Sequence, residues 1–197
     1  MERCDSTTAI IGDRSSNMAT RLKVTYYTAE DLPEIEPVLL DLYDRIYAEE
    51  KAGDPFFSME AFTGRLHRQA AAPRWGCALG EVDGRPVGYA YGFARTADYR
   101  WGGLIETEPG ADLAETDSRT FAFCEIMVLP ESRGTGIAHT LHEELLSHRP
   151  EERVHLLVEE DHPRVRALYE RWGYTKMGII QHPGSPRYVS MLRPVAL

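Results

Sequence analysis

Ser132-Arg133-Gly134-Thr135-Gly136-Ile137-Ala138 is a glycine-rich stretch between an apolar run, residues 121–129, and a helix pattern, residues 137–148. A strand, a glycine-rich turn and a helix N-terminus together form an anion site. The first backbone N–H groups of a helix have no intrahelical partners, and the helix dipole adds positive charge. Glycine also lets the backbone approach a phosphate closely. The stretch therefore predicts a ligand that carries a diphosphate.

Two well-known phosphate-binding loops fit this stretch poorly. A P-loop NTPase has Lys and then Ser or Thr directly after its last glycine, whereas Ile137 and Ala138 follow Gly136. A dinucleotide-binding fingerprint needs a third glycine where this chain has His139. That fingerprint also opens a doubly wound domain, and the 61 residues after Gly136 leave too little chain for one.

Two motifs resemble the signatures of the GNAT superfamily of N-acetyltransferases. Arg133, Gly136 and Ala138 match the family's acetyl-CoA pyrophosphate loop, which reads Gln or Arg, two residues, Gly, one residue, then Gly or Ala. The segment His162-Pro163-Arg164-Val165-Arg166-Ala167-Leu168-Tyr169-Glu170-Arg171-Trp172-Gly173-Tyr174 is similar to the second signature, a short helix that ends in Leu-Tyr-Glu before Gly and an aromatic residue. Both motifs follow the family's order and spacing, and the resemblance covers residues 21–195.

The resemblance implies an α/β fold of the GNAT type. Its central sheet is mixed and mostly antiparallel, splayed between the fourth and fifth strands to admit the cofactor, and flanked by helices. The residue patterns agree, since helix-like segments are inserted among strand-like ones. We expect residues 1–20 to be a flexible extension and residues 21–197 to be one domain. Helices are expected over residues 33–48, after Ser58 and over 137–148, and strands over 22–26, 75–82, 87–94, 121–129, 153–159, 174–181 and 188–194, with a hairpin turn at Asp83-Gly84.

The composition is acidic, with 22 basic and 31 acidic residues and a formal net charge of −9. This charge disfavours binding to nucleic acid or to an anionic membrane and favours a cationic substrate. No apolar run has membrane-spanning length, and acidic residues near the N-terminus argue against a secretory signal. The three cysteines form no Cys-x-x-Cys pair, which suits a reduced cytoplasm. We expect a cytoplasmic protein without a metal.

Acetyl-CoA is the cosubstrate that the resemblance implies, and a small-molecule primary amine is the acceptor. Backbone groups of the fourth strand would contact the pantetheine and the thioester carbonyl. His162 stands where the family usually has Asn, so its contact with the cofactor is a departure from the pattern. The implied cofactor-binding residues are Ile126, Met127, Val128, Arg133, Gly134, Thr135, Gly136, Ile137, Ala138, His162 and Tyr169.

Glu125 is the candidate general base, because it is the only charged residue in the apolar run 121–129. A charged side chain in a buried strand needs a partner or a purpose, and an apolar setting raises the pKa of a carboxyl toward the pH at which a base works. The alternative is an ion pair with Arg119 or Arg153. A water chain is a further candidate for the base.

Tyr169 is the candidate acid for the departing CoA thiolate. Its helical spacing from Val165, Leu168 and Trp172 is also that of a core stripe. Because a tyrosine can pack its ring and still present its hydroxyl group, both interpretations can hold.

Several residues keep two interpretations. His139 and His142 are a metal pair or a solvated helix face, and His155 is a lesser candidate base or a hydrogen-bonded core histidine. The acidic residues of the connection over 97–118 form a solvated loop or a lid that attracts a cationic amine; they are Glu106, Glu108, Asp112, Glu115 and Asp117.

Two other functions stay open beside acetyl transfer to a small amine. Family members that act on protein N-termini often have Glu on the fifth strand, where this chain has Leu157. That difference weakens, without excluding, a protein or peptide N-terminal acetyltransferase. A catalytically silent acyl-CoA-binding module is the second alternative. A homodimer is consistent with the resemblance, since GNAT proteins are often dimers.

Overall fold

Nine strands and four α-helices lie within the residues that the computed structural model describes, which are 6–11, 20–48 and 54–195. The strands are β1 (Ser6–Ile11), β2 (Thr20–Thr28), β3 (Gly76–Val82), β4 (Arg85–Ala94), β5 (Leu104–Thr107), β6 (Thr120–Val128), β7 (Arg153–Glu159), β8 (Thr175–Gln181) and β9 (Arg187–Pro194). The helices are α1 (Leu32–Ile46), α2 (Met59–Ala70), α3 (Ile137–Ser147) and α4 (Pro163–Arg171). None of these helices combines the length and the apolar content needed to cross a membrane.

Every strand and helix expected from the sequence is present, and β1 and β5 are additions to them. β1 lies within residues 1–20 and pairs antiparallel with β2. Most of residues 1–20 lie outside the described residues, so their flexibility stays a prediction. With the two additions, the fourth and fifth strands of the expected fold are β6 and β7.

Two compact units share β6. The first comprises the chain up to Phe93 together with residues 125–148, and its strand order is β1-β2-β3-β4-β6. Helix α3 packs against β2 and β3, and α1 packs against α2. Large side chains that are fully buried fill this unit; among them are Leu22, Leu39, Tyr43, Phe62, Trp75, Tyr91 and Leu141. The expectation of one domain over residues 21–197 stays a prediction.

Local signals explain where the elements of the first unit begin and turn. Pro33 stands in the first turn of α1, where its missing N–H costs no hydrogen bond. Ser58 caps α2, because its side chain accepts a hydrogen bond from the N–H of Ala61 at 3.2 Å. Between β3 and β4, Asp83 and Gly84 have φ angles of 50° and 75°. Two successive positive φ angles are typical of a hairpin turn that matches the strand twist, as the sequence predicted.

The second unit contains residues 94–124 and 149–197, and its strand order is β6-β7-β9-β8-β5. β7, β9, β8 and β5 pair antiparallel, whereas β6 and β7 pair in parallel. The parallel ladder joins Thr120 to Arg153 and stops at Ala122 and His155, although β6 runs on to Val128 and β7 to Glu159. The mixed, mostly antiparallel sheet and its splay are therefore confirmed.

Candidate active site

The glycine-rich loop after β6 is held by bonds from side chains to the backbone. Arg133 donates from Nε to the carbonyl oxygen of Val128 at 3.0 Å, and the hydroxyl of Thr135 donates to the carbonyl of Ser132 at 2.7 Å. Gly134 and Gly136 have φ angles of 77° and 88°, which favour glycine strongly. A Cβ placed on either glycine would meet nothing within 4 Å. Side chains of Arg133 and Thr135 thus fix the loop, and its two glycines face open space.

Helix α3 begins directly after this loop without a side-chain cap. Its first backbone bond runs from the N–H of Thr140 to the carbonyl of Gly136 at 3.1 Å. The N–H groups of the first helical turn therefore have no partner within the helix, and no acidic residue lies in that turn. Open space, an uncapped helix N-terminus and the positive end of the helix dipole fit a diphosphate group.

The end of β6 is fixed against β4. The hydroxyl of Tyr89 donates to the sulfur of Met127 at 3.0 Å, and the N–H of Leu129 donates to the carbonyl of Val87 at 2.9 Å. A Cβ at Gly88 would collide with the carbonyl oxygen of Met127, so the two backbones approach closely only because this residue is glycine. The β6 residues that lead into the loop are therefore rigidly placed.

Glu125 lies on β6 and is partly buried. Burial raises the pKa of its carboxyl to about 7, and the guanidinium of Arg65 partly opposes this rise. Glu125 makes no hydrogen bond or ion pair with any other residue that the structure describes. The expected alternative partners are engaged within the second unit. Arg119 pairs with Asp112, and Arg153 pairs with Glu115 at 2.8 Å.

Tyr169 lies in the second unit within a cluster of aromatic rings. Its ring is 7% exposed and makes edge contacts with Phe123, Trp172 and Tyr174, at centroid distances of 6.4, 5.3 and 5.5 Å. The structure therefore shows the ring of Tyr169 packed in the core, which was one of its two interpretations. Val165, expected on the same stripe, is 43% exposed, because the short helix α4 buries only one side chain fully. Its role as an acid stays a prediction.

His162 is the residue that precedes α4, and its side chain does not cap the helix. The side chain is 59% exposed and lies 4.0 Å from Glu159 and 3.9 Å from Asp161. Its contact with the cofactor stays a prediction. Glu159, Asp161 and His162 bring one potential ligand atom each to within 4.8 Å of one another, but exposed acidic groups of this kind are common without a metal.

A family model, the acetyltransferase (GNAT) family, matches residues 37–174. The match covers more than half of the chain and includes both motifs. This chain belongs to the GNAT acetyltransferase family. Members of this family are acyltransferases that use acetyl-CoA, so the chain is an acyltransferase. No sequence among curated proteins matches the chain.

Solved structures with the same fold include enzymes with very different acceptors. A ribosomal-protein alanine N-acetyltransferase from Escherichia coli is 16% identical with a TM-score of 0.58, over 89% of this chain and 95% of the other. A spermidine N-acetyltransferase chimera from Vibrio cholerae and hSSAT is 16% identical with a TM-score of 0.56, over 89% and 96%. An aminoglycoside N-acetyltransferase in complex with CoA is 14% identical with a TM-score of 0.56, over 85% and 96%. At such identities the likeness shows the fold alone.

The acidic side chains of the connection over residues 97–118 have partners within the second unit of this GNAT protein. Glu106 pairs with Arg187 and Glu108 pairs with Lys176, each at 2.8 Å. Asp117 accepts a hydrogen bond from the N–H of Ala97 at 2.8 Å, and the pairs of Asp112 and Glu115 are those given above. Every acidic side chain that the sequence offered as a lid charge has a partner. The connection is a braced segment that contains β5 rather than a free acidic loop.

The other three histidines that the sequence singled out, His139, His142 and His155, differ in their burial and their partners. His155 is 1% exposed and lies between the hydroxyl of Ser190 at 2.8 Å and the guanidinium of Arg95 at 3.0 Å. It is the hydrogen-bonded core histidine that the sequence offered as one interpretation. On α3, His139 is half exposed, but His142 is fully buried. The expectation that both occupy a solvated face is wrong for His142, because its side chain is 0% exposed in the packed face of α3.

Sequence reasoning missed Arg65 and Tyr89 as neighbours of Glu125. The charge of Arg65, on α2, lowers the pKa of Glu125. Glu125 in turn raises the pKa of Tyr89, on β4. One local signal was available for Arg65. It lies one turn after Phe62 and directly before Leu66, so a cation borders the buried stripe of α2.

Proposed function

We propose that this GNAT protein transfers the acetyl group of acetyl-CoA to a primary amine of a small molecule. Glu125 carries the proposal, because it is a partly buried carboxylate on β6 without a partner among the described residues and with a pKa raised to about 7. A general base works best when its pKa lies near the operating pH. A carboxylate whose only role was structural would be expected to have a hydrogen-bonded partner.

The acetyl-CoA diphosphate would bind the loop from Arg133 to Ala138, where the uncapped helix N-terminus and open space fit it. Ile126, Met127 and Val128 would contact the pantetheine with their backbone, and the N–H of Val128 would polarise the thioester carbonyl. His162 would make a further contact with the cofactor in place of the family's Asn. When bound, acetyl-CoA supplies an activated acetyl group.

The residues of the chain would move two protons. Glu125, directly or through a water, would take a proton from the ammonium of the acceptor, because the nitrogen needs a lone pair to attack the carbonyl carbon. As the C–N bond forms and the C–S bond breaks, Tyr169 would donate its hydroxyl proton to the thiolate. The product nitrogen would lose its second proton to the Tyr169 oxygen, directly or through a water, which restores the hydroxyl group. Glu125 would then return its proton to solvent. A cytoplasmic location and a homodimer remain predictions beside this reaction.

The acceptor was expected to be cationic for two reasons, net charge and the acidic connection. The second reason is weakened, because the acids of the connection are paired within the second unit. The ammonium of the acceptor and the carboxylate of Glu125 are then the complementary charges that support the proposal.

Calorimetry with acetyl-CoA, with NAD and ATP as controls, tests the first half of the proposal. We expect acetyl-CoA to bind and the two controls not to bind. Release of free thiol across a panel of amines then tests transfer. Binding without turnover of any amine would identify a silent acyl-CoA-binding module, and turnover of peptides alone would identify a protein N-terminal acetyltransferase. Either result contradicts the proposal.

A further inference from the structure

Arg65 on α2 carries a positive charge that no carboxylate neutralises among the described residues. It forms no ion pair there, in contrast to Arg119, Arg153 and Arg187, which each pair with an acid. Its Nε–H is buried and has no acceptor. Because a buried donor without an acceptor is unfavourable, a ligand that supplies an acceptor would improve this arrangement.

The guanidinium of Arg65 is held in a fixed position by neutral groups. One terminal nitrogen donates to the carbonyl of Phe56 at 2.8 Å, and the other donates to the hydroxyl of Tyr43 at 3.4 Å. The plane stacks over the ring of Phe56, with Cζ 4.1 Å from its centroid, and Tyr43 in turn stacks on Phe62 at 3.8 Å. An arginine has five N–H donors, so these two bonds leave donors for another acceptor. The charge is therefore positioned in advance and still available.

Arg65 also lies within electrostatic reach of Glu125 in the same unit, since its charge lowers the pKa of that carboxyl. The two side chains nevertheless form no ion pair within 4 Å. A carboxylate and a guanidinium that influence each other without contact can be complemented together by one ligand that carries both an ammonium and an anionic group. An amine with a second positive charge would instead be repelled by Arg65.

We propose that Arg65 binds a carboxylate of the acceptor, which makes the acceptor an amino acid or another small zwitterionic amine. This inference rests on the function proposed above and names the acceptor class of the same site. The ammonium of the acceptor faces Glu125, and its carboxylate accepts hydrogen bonds from the fixed guanidinium. A planar guanidinium suits a carboxylate, because its N–H groups match the two oxygens.

Matched acceptors test this inference. Each standard amino acid is compared with its amide and with the amine that lacks the carboxyl group, so that the side chain and the reacting nitrogen stay the same. C-terminally amidated dipeptides with N-terminal Asp or Glu are added, because they carry a side-chain carboxylate without a free α-carboxyl group. Free thiol is measured at saturating acetyl-CoA. We expect kcat/KM for the best amino acid to exceed that for its amide roughly 10- to 100-fold, the range for a hydrogen bond to a charged group.

Three variants separate recognition from folding. Arg65→Gln keeps a polar side chain without the charge, and we expect the carboxylate preference to disappear through a rise in KM while kcat changes little. Arg65→Lys keeps the charge and is expected to restore part of the preference. Arg68→Gln removes an exposed arginine one turn later on α2 and serves as the control, with the preference unchanged.

The outcomes distinguish this inference from the proposed function. If amides and simple amines are acetylated as well as amino acids, the inference is wrong and the proposed function stands. If Arg65→Gln lowers kcat/KM equally for acids and amides, Arg65 is structural and the inference is wrong. If acetyl-CoA binds but no amine is acetylated, both are wrong.

Discussion

Glu125 and His155 are both titratable side chains inside strands, one on β6 in the first unit and one on β7 in the second. His155 has a partner at each ring nitrogen, Ser190 at 2.8 Å and Arg95 at 3.0 Å, and Trp101 packs edge-on against its ring at 4.8 Å. Glu125 has no hydrogen-bonded partner among the described residues, and the charge of Arg65 lowers the pKa of its carboxyl. Burial raises the pKa of Glu125 and lowers the pKa of His155, so it favours the neutral form of each group.

The difference separates a buried polar group that completes the fold from one that is available to a ligand. Arg95 and Arg153 further lower the pKa of His155, so the ring is held neutral as a connector of hydrogen bonds. Glu125 keeps a pKa near 7, which leaves both of its protonation states accessible. The loop after β6 belongs with Glu125 in this comparison, because no side chain caps the N-terminus of α3 that follows it.

Glu125→Gln is expected to have the largest effect on turnover. A loss of a positioned base costs roughly 10²- to 10⁴-fold in rate, so kcat should fall by at least about 100-fold while acetyl-CoA affinity stays unchanged. Glu81→Gln on β3 is the matched control, and we expect no loss. Thiol-release kinetics and calorimetry measure the two quantities. Wild-type turnover by Glu125→Gln would transfer the role of base to a water chain.

The same variant tests the electrostatics of Glu125 through stability. Because the pKa of the folded carboxyl lies above its ordinary value, the folded state holds the proton more tightly, and wild-type stability declines as pH rises from about 4.5 through about 7. The loss is complete above that range and amounts to at most about 3.5 kcal/mol, at about 1.4 kcal/mol per pKa unit. Glu125→Gln cannot titrate, so it should gain stability relative to wild type between pH 5 and pH 8.5 in urea unfolding. A constant difference would contradict the raised pKa.

Gly136→Val is expected to have the next largest effect, on affinity. The side chain would fill the open space at the loop, and acetyl-CoA affinity should fall by roughly 100-fold as charge-assisted hydrogen bonds are lost. At a φ of 88° valine is also strained, by roughly 1–2 kcal/mol. Gly84→Val places the same residue at a φ of 75° in the β3–β4 turn, with equally open surroundings. We expect both variants to lose similar stability. If Gly136→Val and Gly84→Val bind acetyl-CoA with equal affinity, the assignment of this loop to the diphosphate is wrong.

Tyr169→Phe tests whether a tyrosine that is buried in an aromatic cluster also takes part in the reaction. The aromatic cluster keeps its rings in this variant, so folding and acetyl-CoA affinity should change little. We expect kcat to fall roughly 10-fold, less than for the base, because a thiolate leaves more readily than an amine is deprotonated. Tyr174→Phe, in the same cluster, is the control. An unaltered kcat in Tyr169→Phe would leave its ring as packing only.

The sequence predicted the features that depend on neighbouring residues. Gly134 and Gly136 were informative because positive φ angles and unpaired helix N–H groups arise within a few residues. The Asp83-Gly84 hairpin and the Ser58 cap were predicted for the same reason. Together with the two motifs they were enough to establish the fold class, including the splay after Ala122.

Features that depend on residues distant in the chain were not predictable. The acids of the connection looked free because their partners, such as Lys176 and Arg187, come about 70 to 80 residues later. Arg65 on α2 and Glu125 on β6 come within electrostatic reach of each other, and a charge pattern along one helix does not reveal its neighbour on a strand. His142 was misplaced because helical spacing alone does not say how far around α3 the packed face extends.

His155→Gln is expected to have the smallest effect on turnover and completes the comparison. The amide retains hydrogen-bonding groups but fits Ser190 and Arg95 less well, so the free energy of unfolding at pH 8 should fall by about 1–3 kcal/mol. The pKa of the folded histidine lies well below 6.5, so the unfolded chain gains a proton first, and wild-type stability is lost as pH falls below about 6.5. The variant lacks this loss, and the gap between the two proteins should narrow from pH 8 to pH 5. If kcat instead falls while stability is kept, His155 acts in the reaction, and a fully paired buried group would no longer indicate a structural role in this fold.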